Sequence, residues 1–322
     1  MLRIWQKTEK QKLEPVGMGT AFPFLKEKNY VVSIIGGGGK TTLLYEMAGF
    51  CVKNDQKVLV TTSTHIYRPP KEWHDQSLEA VERKFRTGRA AIIGSACRDT
   101  EKLSMPETEL FEAARKKADL TLIEADGARH LPCKAPAEHE PALLSSSDLV
   151  IGVTGLSALG QPLGKGCFRA ERAAELLGCT MEHHITEEDL ARLIASEQGQ
   201  QKDLKGRTFY AVLHQYEEKE HRAAAEKLVE LLRRQGIEHV LVTCATGNRR
   251  QSGENTNPGM GEQSFPCVKR KKSGNPENKT EIEWRRQMAE FTHFKKDGSA
   301  SWLMSMRSRT RTGQHRRREP YR

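Results

Sequence analysis

Tyr30-Val31-Val32-Ser33-Ile34-Ile35-Gly36-Gly37-Gly38-Gly39-Lys40-Thr41-Thr42 is the stretch on which the reading of this chain turns. Its first six residues are apolar except for Ser33, a pattern that suits a strand buried on both faces. After the glycines, Leu43, Leu44, Met47, Phe50 and Cys51 recur at helical spacing and make one apolar face. Between a strand and a helix, consecutive glycines let backbone amides turn toward one anionic point. The helix start behind them adds its partial positive charge. In that setting Lys40 pairs with the β- and γ-phosphates of a nucleotide, and the Thr41 hydroxyl helps to hold Mg²⁺. Gly36, Gly37, Gly38, Gly39, Lys40, Thr41 and Thr42 are therefore the candidate cradle for ATP or GTP.

The standard spacing G-x-x-x-x-G-K-[ST] is not met, because Ile34 stands where its first glycine belongs. What fits is a shorter G-x-x-G-K-T-T from 36 to 42, which is similar to the loop of the Mur ligase type of ATP-binding domain.

Six further apolar runs punctuate the chain, at 57–62, 90–94, 119–124, 148–153, 208–213 and 238–243, with helical patterns between several of them. Leu110, Phe111 and Ala114 form one such pattern. Leu228, Leu231 and Leu232 form another, with Gly236 placed as a C-terminal stop. Strands alternating with helices predict an α/β fold of the P-loop NTPase kind, a mostly parallel sheet flanked by helices. Residues 1–29 read as an N-terminal extension and 30–244 as the nucleotide-binding domain, with 155–205 less regular.

The run at 119–124 ends in Glu124-Ala125-Asp126-Gly127. An apolar strand finishing in carboxylates sets an acid beside Mg²⁺ at the sheet edge where ligands bind. Glu124 and Asp126 are two apart, so in an extended chain they face one side. They are the candidate catalytic pair with Lys40, and with Thr41 the candidate metal ligands. Asp126-Gly127 also suits a plain turn. Glu138-His139-Glu140 places an imidazole between two acids, but neighbouring residues point apart and an exposed polar turn is the simpler reading.

The net charge of +10 is confined to the end of the chain: residues 245–322 hold 18 Lys/Arg and 8 Asp/Glu, and the first 244 hold 34 of each sign. That segment lacks apolar periodicity and reads as a disordered basic tail. Its aromatics form no nucleic-acid module, so no nucleic-acid partner is expected. Seven scattered cysteines, no apolar leader and no long apolar run lead to the expectation of a cytoplasmic protein with no membrane partner.

Four segments carry a resemblance to a known family: VVSIIGGGGKTTL (31–43), VLVTTSTHI (58–66), LIEADGARHLPCKAPAEHEP (122–141) and DLVIGVTGLSALGQPLG (148–164). Through them the chain resembles the YqeC family of selenium-dependent molybdenum hydroxylase accessory proteins, over about residues 28–244. The resemblance implies an NTP-dependent accessory step in maturing the selenium-containing cofactor. Its implied partners are a molybdenum hydroxylase or its maturation proteins. Three departures stand out. Ser157 replaces an Asp of the family, Phe168-Arg169-Ala170-Glu171 replaces H-R-P-E, and His214-Gln215-Tyr216-Glu217 replaces N-Q-x-D. That last motif is similar to the guanine reader of GTPases, and Glu217 is one methylene too long for its pose. Two functions are therefore expected: an NTP-hydrolysing or phosphoryl-transferring accessory enzyme, or a nucleotide-gated chaperone that delivers a cofactor to a client.

Overall fold

A computed structural model describes residues 2–8, 12–98 and 101–245. The compact unit runs from Met1 to Ala245. The expected basic tail, from 246 onward, lies outside the described residues.

All seven strands read from the sequence form, at Tyr30–Gly36 (β3), Val58–Thr62 (β4), Ala91–Ile93 (β6), Leu120–Glu124 (β7), Leu149–Gly155 (β8), Thr208–His214 (β9) and His239–Ala245 (β10). Leu2–Lys7 (β1), Leu13–Val16 (β2) and His74–Asp75 (β5) complete a ten-stranded sheet in the order β2-β1-β10-β9-β8-β3-β7-β4-β6-β5. From β10 to β5 every pairing is parallel, and β1 alone runs the other way, antiparallel to both β10 and β2. The fold is α/β with a large, mostly parallel sheet.

Among the described residues the longer helices are Lys40–Lys53 (α1), Leu78–Arg86 (α2), Thr108–Arg115 (α3), Ala170–Leu177 (α4), Glu187–Ala195 (α5) and Glu218–Arg234 (α6). Helix α1 packs across β3, β7 and β4 through Leu43, Leu44, Met47 and Cys51. Of its expected apolar face only Phe50 stays half-exposed, and Tyr45 is buried as well. Helix α6 runs one residue short of Gln235, and Gly236 follows with a φ of 84°, the left-handed geometry of a helix stop. Among the described residues no helix is long and apolar enough to cross a membrane.

The chain builds the β4 side of the sheet first, returns to insert β7 between β3 and β4, and then crosses β3 to lay down β8, β9 and β10. The connections thus diverge on either side of β3, the switch point at which open α/β sheets collect ligands beyond their carboxyl ends. The register keeps those ends level: Glu124 lies opposite Ile34 and Thr62, Val153 opposite Gly36, and Gly155 opposite His214.

The N-terminal segment adds two strands to this sheet. Strand β1 pairs antiparallel with β10 and covers what would otherwise be the open edge of a parallel sheet. Trp5 locks the hairpin down, edge-on to Tyr216 with 4.8 Å between ring centroids, and both rings are buried. No apolar alternation marks the hairpin in sequence, because its partner strand lies more than 230 residues away. Trp5→Ala is expected to destabilise the protein by about 3–5 kcal/mol, the usual range for a buried Trp truncation. A lower urea midpoint at unchanged slope would show it.

Candidate functional site

The glycine turn leaves β3 under close packing. A side chain on Gly36 (φ 97°) would set its Cβ 2.1 Å from the Val153 carbonyl oxygen, and one on Gly39 (φ 128°) would meet the His214 ring at 2.2 Å. Only glycine satisfies both the dihedral and the space. The turn also spends its leading amides. Gly36 N–H donates to both Asp126 carboxylate oxygens (2.9 and 3.1 Å), Gly37 N–H to Val153 O (2.8 Å) and Gly38 N–H to Leu131 O (3.0 Å). The sequence reading took all the glycine amides as anion donors; three of them instead hold the turn to its neighbours. Among the described residues, no acceptor takes the amides of Gly39, Lys40, Thr41 and Thr42. These four belong to the first turn of α1, where a helix leaves its donors open and its dipole is positive.

Lys40, 5% exposed, folds back over the turn. Its Nζ donates to Gly36 O (2.6 Å) and lies 3.2 Å from Asp126 Oδ1. Thr41 Oγ1 donates to Glu124 Oε2 (2.8 Å). The two acids of the β7 end thus reach the same loop and divide it: Glu124 takes the hydroxyl, and Asp126 takes the lysine and the backbone. Both are buried. Residues 125–128 run on without a turn, which comes instead at Arg129 and His130. Burial pushes the Glu124 carboxyl above its ordinary range, against the lowering pull of Lys40 and Thr41.

A second lysine that the sequence reading did not single out completes the site. Lys134, 2% exposed, bridges Asp126 Oδ2 (3.0 Å) and Glu140 Oε2 (2.7 Å) and donates to Gly127 O (2.6 Å). Arg169 closes the chain on Glu140 Oε2. Lysine, aspartate, lysine, glutamate and arginine therefore alternate in sign through a buried run, which is what makes each charge tolerable away from water. Burial raises the Glu140 carboxyl, but Lys134, the Ala137 amide and Arg169 outweigh it and hold the group below the usual carboxylate range. Lys202 fastens the same loop from outside, donating to the carbonyls of Ala137 (3.0 Å), Glu138 and Glu140 (2.8 Å). Glu138 and His139 point outward and exposed, so the acid–imidazole–acid run is split and only Glu140 serves the site. The available signal for Lys134 was its setting, a lone charge within Pro132-Cys133-Lys134-Ala135-Pro136.

The hydroxyl-rich end of β4 is structural: Thr61, Thr62 and Ser63 donate to the carbonyls of Ile93, Glu124 and Ala142. Cys133 and Cys167 face each other in register and are both buried, with the Cys133 thiol pushed well up by the neighbouring Cys167 and by desolvation. Among the described residues no cluster of three or more His, Cys, Asp or Glu could enclose a metal. Thr41 and Glu124 are nonetheless hard oxygen donors of the kind Mg²⁺ takes when phosphates and waters fill its remaining positions.

At the end of β9, His214 and Tyr216 of the segment that stands in place of N-Q-x-D turn inward, and Glu217 is exposed. His214 is buried against Gly39 and bonded through Nδ1 to Thr243 Oγ1 (2.7 Å), and Tyr216 is buried against Trp5. Gln215, with a φ of 63°, takes the Ser157 hydroxyl at 2.5 Å. Burial lowers the His214 pKa from 6.5 to about 4, so the ring is neutral in the fold. A depressed folded pKa gives stability that is present above pH 6.5 and lost as the pH falls toward 4. The shift corresponds to about 3 kcal/mol at most. His214→Asn should therefore flatten the fall in stability between pH 6.5 and 4, measured by urea unfolding at each pH.

Comparison with known proteins finds similarity over the same segments. Residues 32–171 match the family model described as YqeC protein, a span that includes the glycine turn and every member of the Lys40–Asp126–Lys134–Glu140–Arg169 chain. Over 219 residues the chain is 29% identical to a protein of Escherichia coli (strain K12) described as uncharacterized protein YqeC, covering 65% of this chain and 85% of that one. The sequence match thus falls on the residues that build the site, and over them the chain is similar to the YqeC family.

Proposed function

We propose that this protein is a P-loop nucleotide-binding protein that hydrolyses an NTP, or transfers its terminal phosphoryl group, with Mg²⁺. The observation that carries the reading is the convergence, at the start of α1, of four open amides with Lys40, Thr41 and two buried carboxylates. The amides and Lys40 would receive the phosphate oxygens. Mg²⁺, when bound, would neutralise developing charge on the phosphates. Glu124 and Thr41 are the residues that would hold the metal, and Asp126 would orient Lys40. The family resemblance supports a setting for this chemistry: an accessory step in maturing the selenium-containing cofactor of molybdenum hydroxylases.

One observation favours a nucleotide-gated switch as the second reading. Lys40 is held by Asp126, which in turn is tied to Lys134 and the 131–141 loop. Phosphates that draw Lys40 away would loosen that loop and so change a surface a client could read. Multiple turnovers with a small acceptor support the enzyme, and hydrolysis stimulated by a molybdenum hydroxylase supports the switch.

Titration calorimetry with MgATP and MgGTP tests the shared core of both readings. Wild-type protein should bind at least one of them, and Lys40→Ala should weaken that binding by tenfold or more, about 1.4 kcal/mol. Absence of binding, or no effect of the substitution, overturns the proposal. Because Glu124 titrates above the ordinary carboxylate range, Mg²⁺-dependent affinity should keep rising with pH beyond that range in the wild type. Glu124→Gln should make it flat.

A further inference from the structure

Beside the glycine turn, Lys134 and Arg169 of the buried charge chain are joined by a cation outside it, Arg129. Cys133–Lys134 and Cys167–Phe168 form a two-stranded parallel pair, with Lys134 opposite Phe168. Alternation puts the two thiols on one face and Lys134 and Phe168 on the other. Three cationic groups gather on the Phe168 ring: Arg169 Cζ at 4.5 Å, Arg129 Cζ at 5.3 Å and Lys134 Nζ at 5.7 Å from its centroid. Lys134 is spent on Asp126 and Glu140, and Arg169 shares Glu140. Arg129 is exposed and, among the described residues, pairs with no carboxylate.

The backbone holds this arrangement against its preferences. Arg129, His130 and Arg169 all have left-handed backbone, with φ of 46°, 65° and 59°. Non-glycine residues enter that region at a cost and stay there only where the surroundings hold them. Next to Arg129, His130 stacks on Tyr67 with its Nε2 3.3 Å from the hydroxyl, and the charges of Lys40 and Lys102 bear on it after burial itself. The charged groups over the Phe168 ring are thus all cations, with Glu140 on Lys134 and Arg169. Arg169 already has Glu140 on it, whereas the Arg129 guanidinium is open, and the planar fork of a guanidinium matches the oxygens of a phosphate.

We infer that Arg129 and Arg169, gathered on the Phe168 ring, form a binding subsite for a second, phosphate-bearing small molecule next to the nucleotide loop. The subsite is connected to Lys40 through Lys134 and Asp126 by contacts of 3.0 and 3.2 Å, so its ligand would sit within reach of the same cradle. The inference rests on the nucleotide reading only in making that ligand a co-substrate; the binding itself stands alone.

The test uses the full chain, with glycerol 3-phosphate as probe in titration calorimetry and MgATP and MgGTP titrated in parallel. Arg129→Gln, an exposed change, should weaken glycerol 3-phosphate by about tenfold while leaving nucleotide affinity within about twofold. Arg129→Lys should recover part of the loss, since charge returns without the fork. Lys40→Ala should do the reverse, losing nucleotide and keeping the phosphate ester. If nucleotide binding fails in the wild type but Arg129-dependent ester binding remains, the proposed function falls and the subsite survives. The subsite is overturned if wild-type protein does not bind the ester, if Arg129→Gln binds it like the wild type, or if Lys40→Ala removes it together with nucleotide. It is likewise overturned if single-stranded RNA, and not the ester, binds in an Arg129-dependent way.

Discussion

Asp126 is a buried carboxylate with two lysines and a backbone amide on it, and the geometry of the site depends on that one group. An ionised acid away from water is costly unless its oxygens are filled. Here Lys40 and Gly36 N–H come from the β3–α1 turn, and Lys134 from a loop that follows β7. Satisfying one charge therefore joins three pieces of chain that the topology merely brings close. Removing the carboxylate would leave two buried lysines facing each other, so the turn and the loop are linked in energy as well as in space.

The sheet supplies the frame for that contact. Inserting β7 between β3 and β4 puts Glu124 level with the last residues of both, and crossing to β8 puts Val153 beside Gly36. The glycine turn is then enclosed by Val153, Leu131 and His214, whose carbonyls and ring consume its first amides and its free space. What stays open is the helix start. The division is functional in its physics: the first half of the turn is a structural clasp, and the second half is an electropositive mouth.

Much of the architecture was readable in the sequence because parallel strands buried on both faces leave unbroken apolar runs. All seven such runs proved to be strands, and α1 followed the glycines as its periodicity required. The β1–β2 hairpin was not readable, because its register is set by a strand at the far end of the fold. Lys134 was illegible for a related reason. A lysine among small apolar residues looks like any solvated charge until the fold shows that Asp126 and Glu140 meet it in the interior. In Glu138-His139-Glu140 the neighbouring side chains part company as expected, with Glu138 and His139 exposed, but which one would turn inward was not readable.

Residue order alone determined the α/β class, the strand–glycine–helix unit and the identity of Lys40, Thr41, Glu124 and Asp126 as the groups around it, because these follow from local periodicity and side-chain chemistry. Tertiary structure decided which amides of the turn are open, that His214 supports Gly39 from below, and that Arg129, Lys134 and Arg169 converge on Phe168. Arg169 beside Phe168 apart, these are contacts between segments dozens of residues or more apart. A linear pattern records how each segment folds, and only packing determines which of its groups lie next to one another.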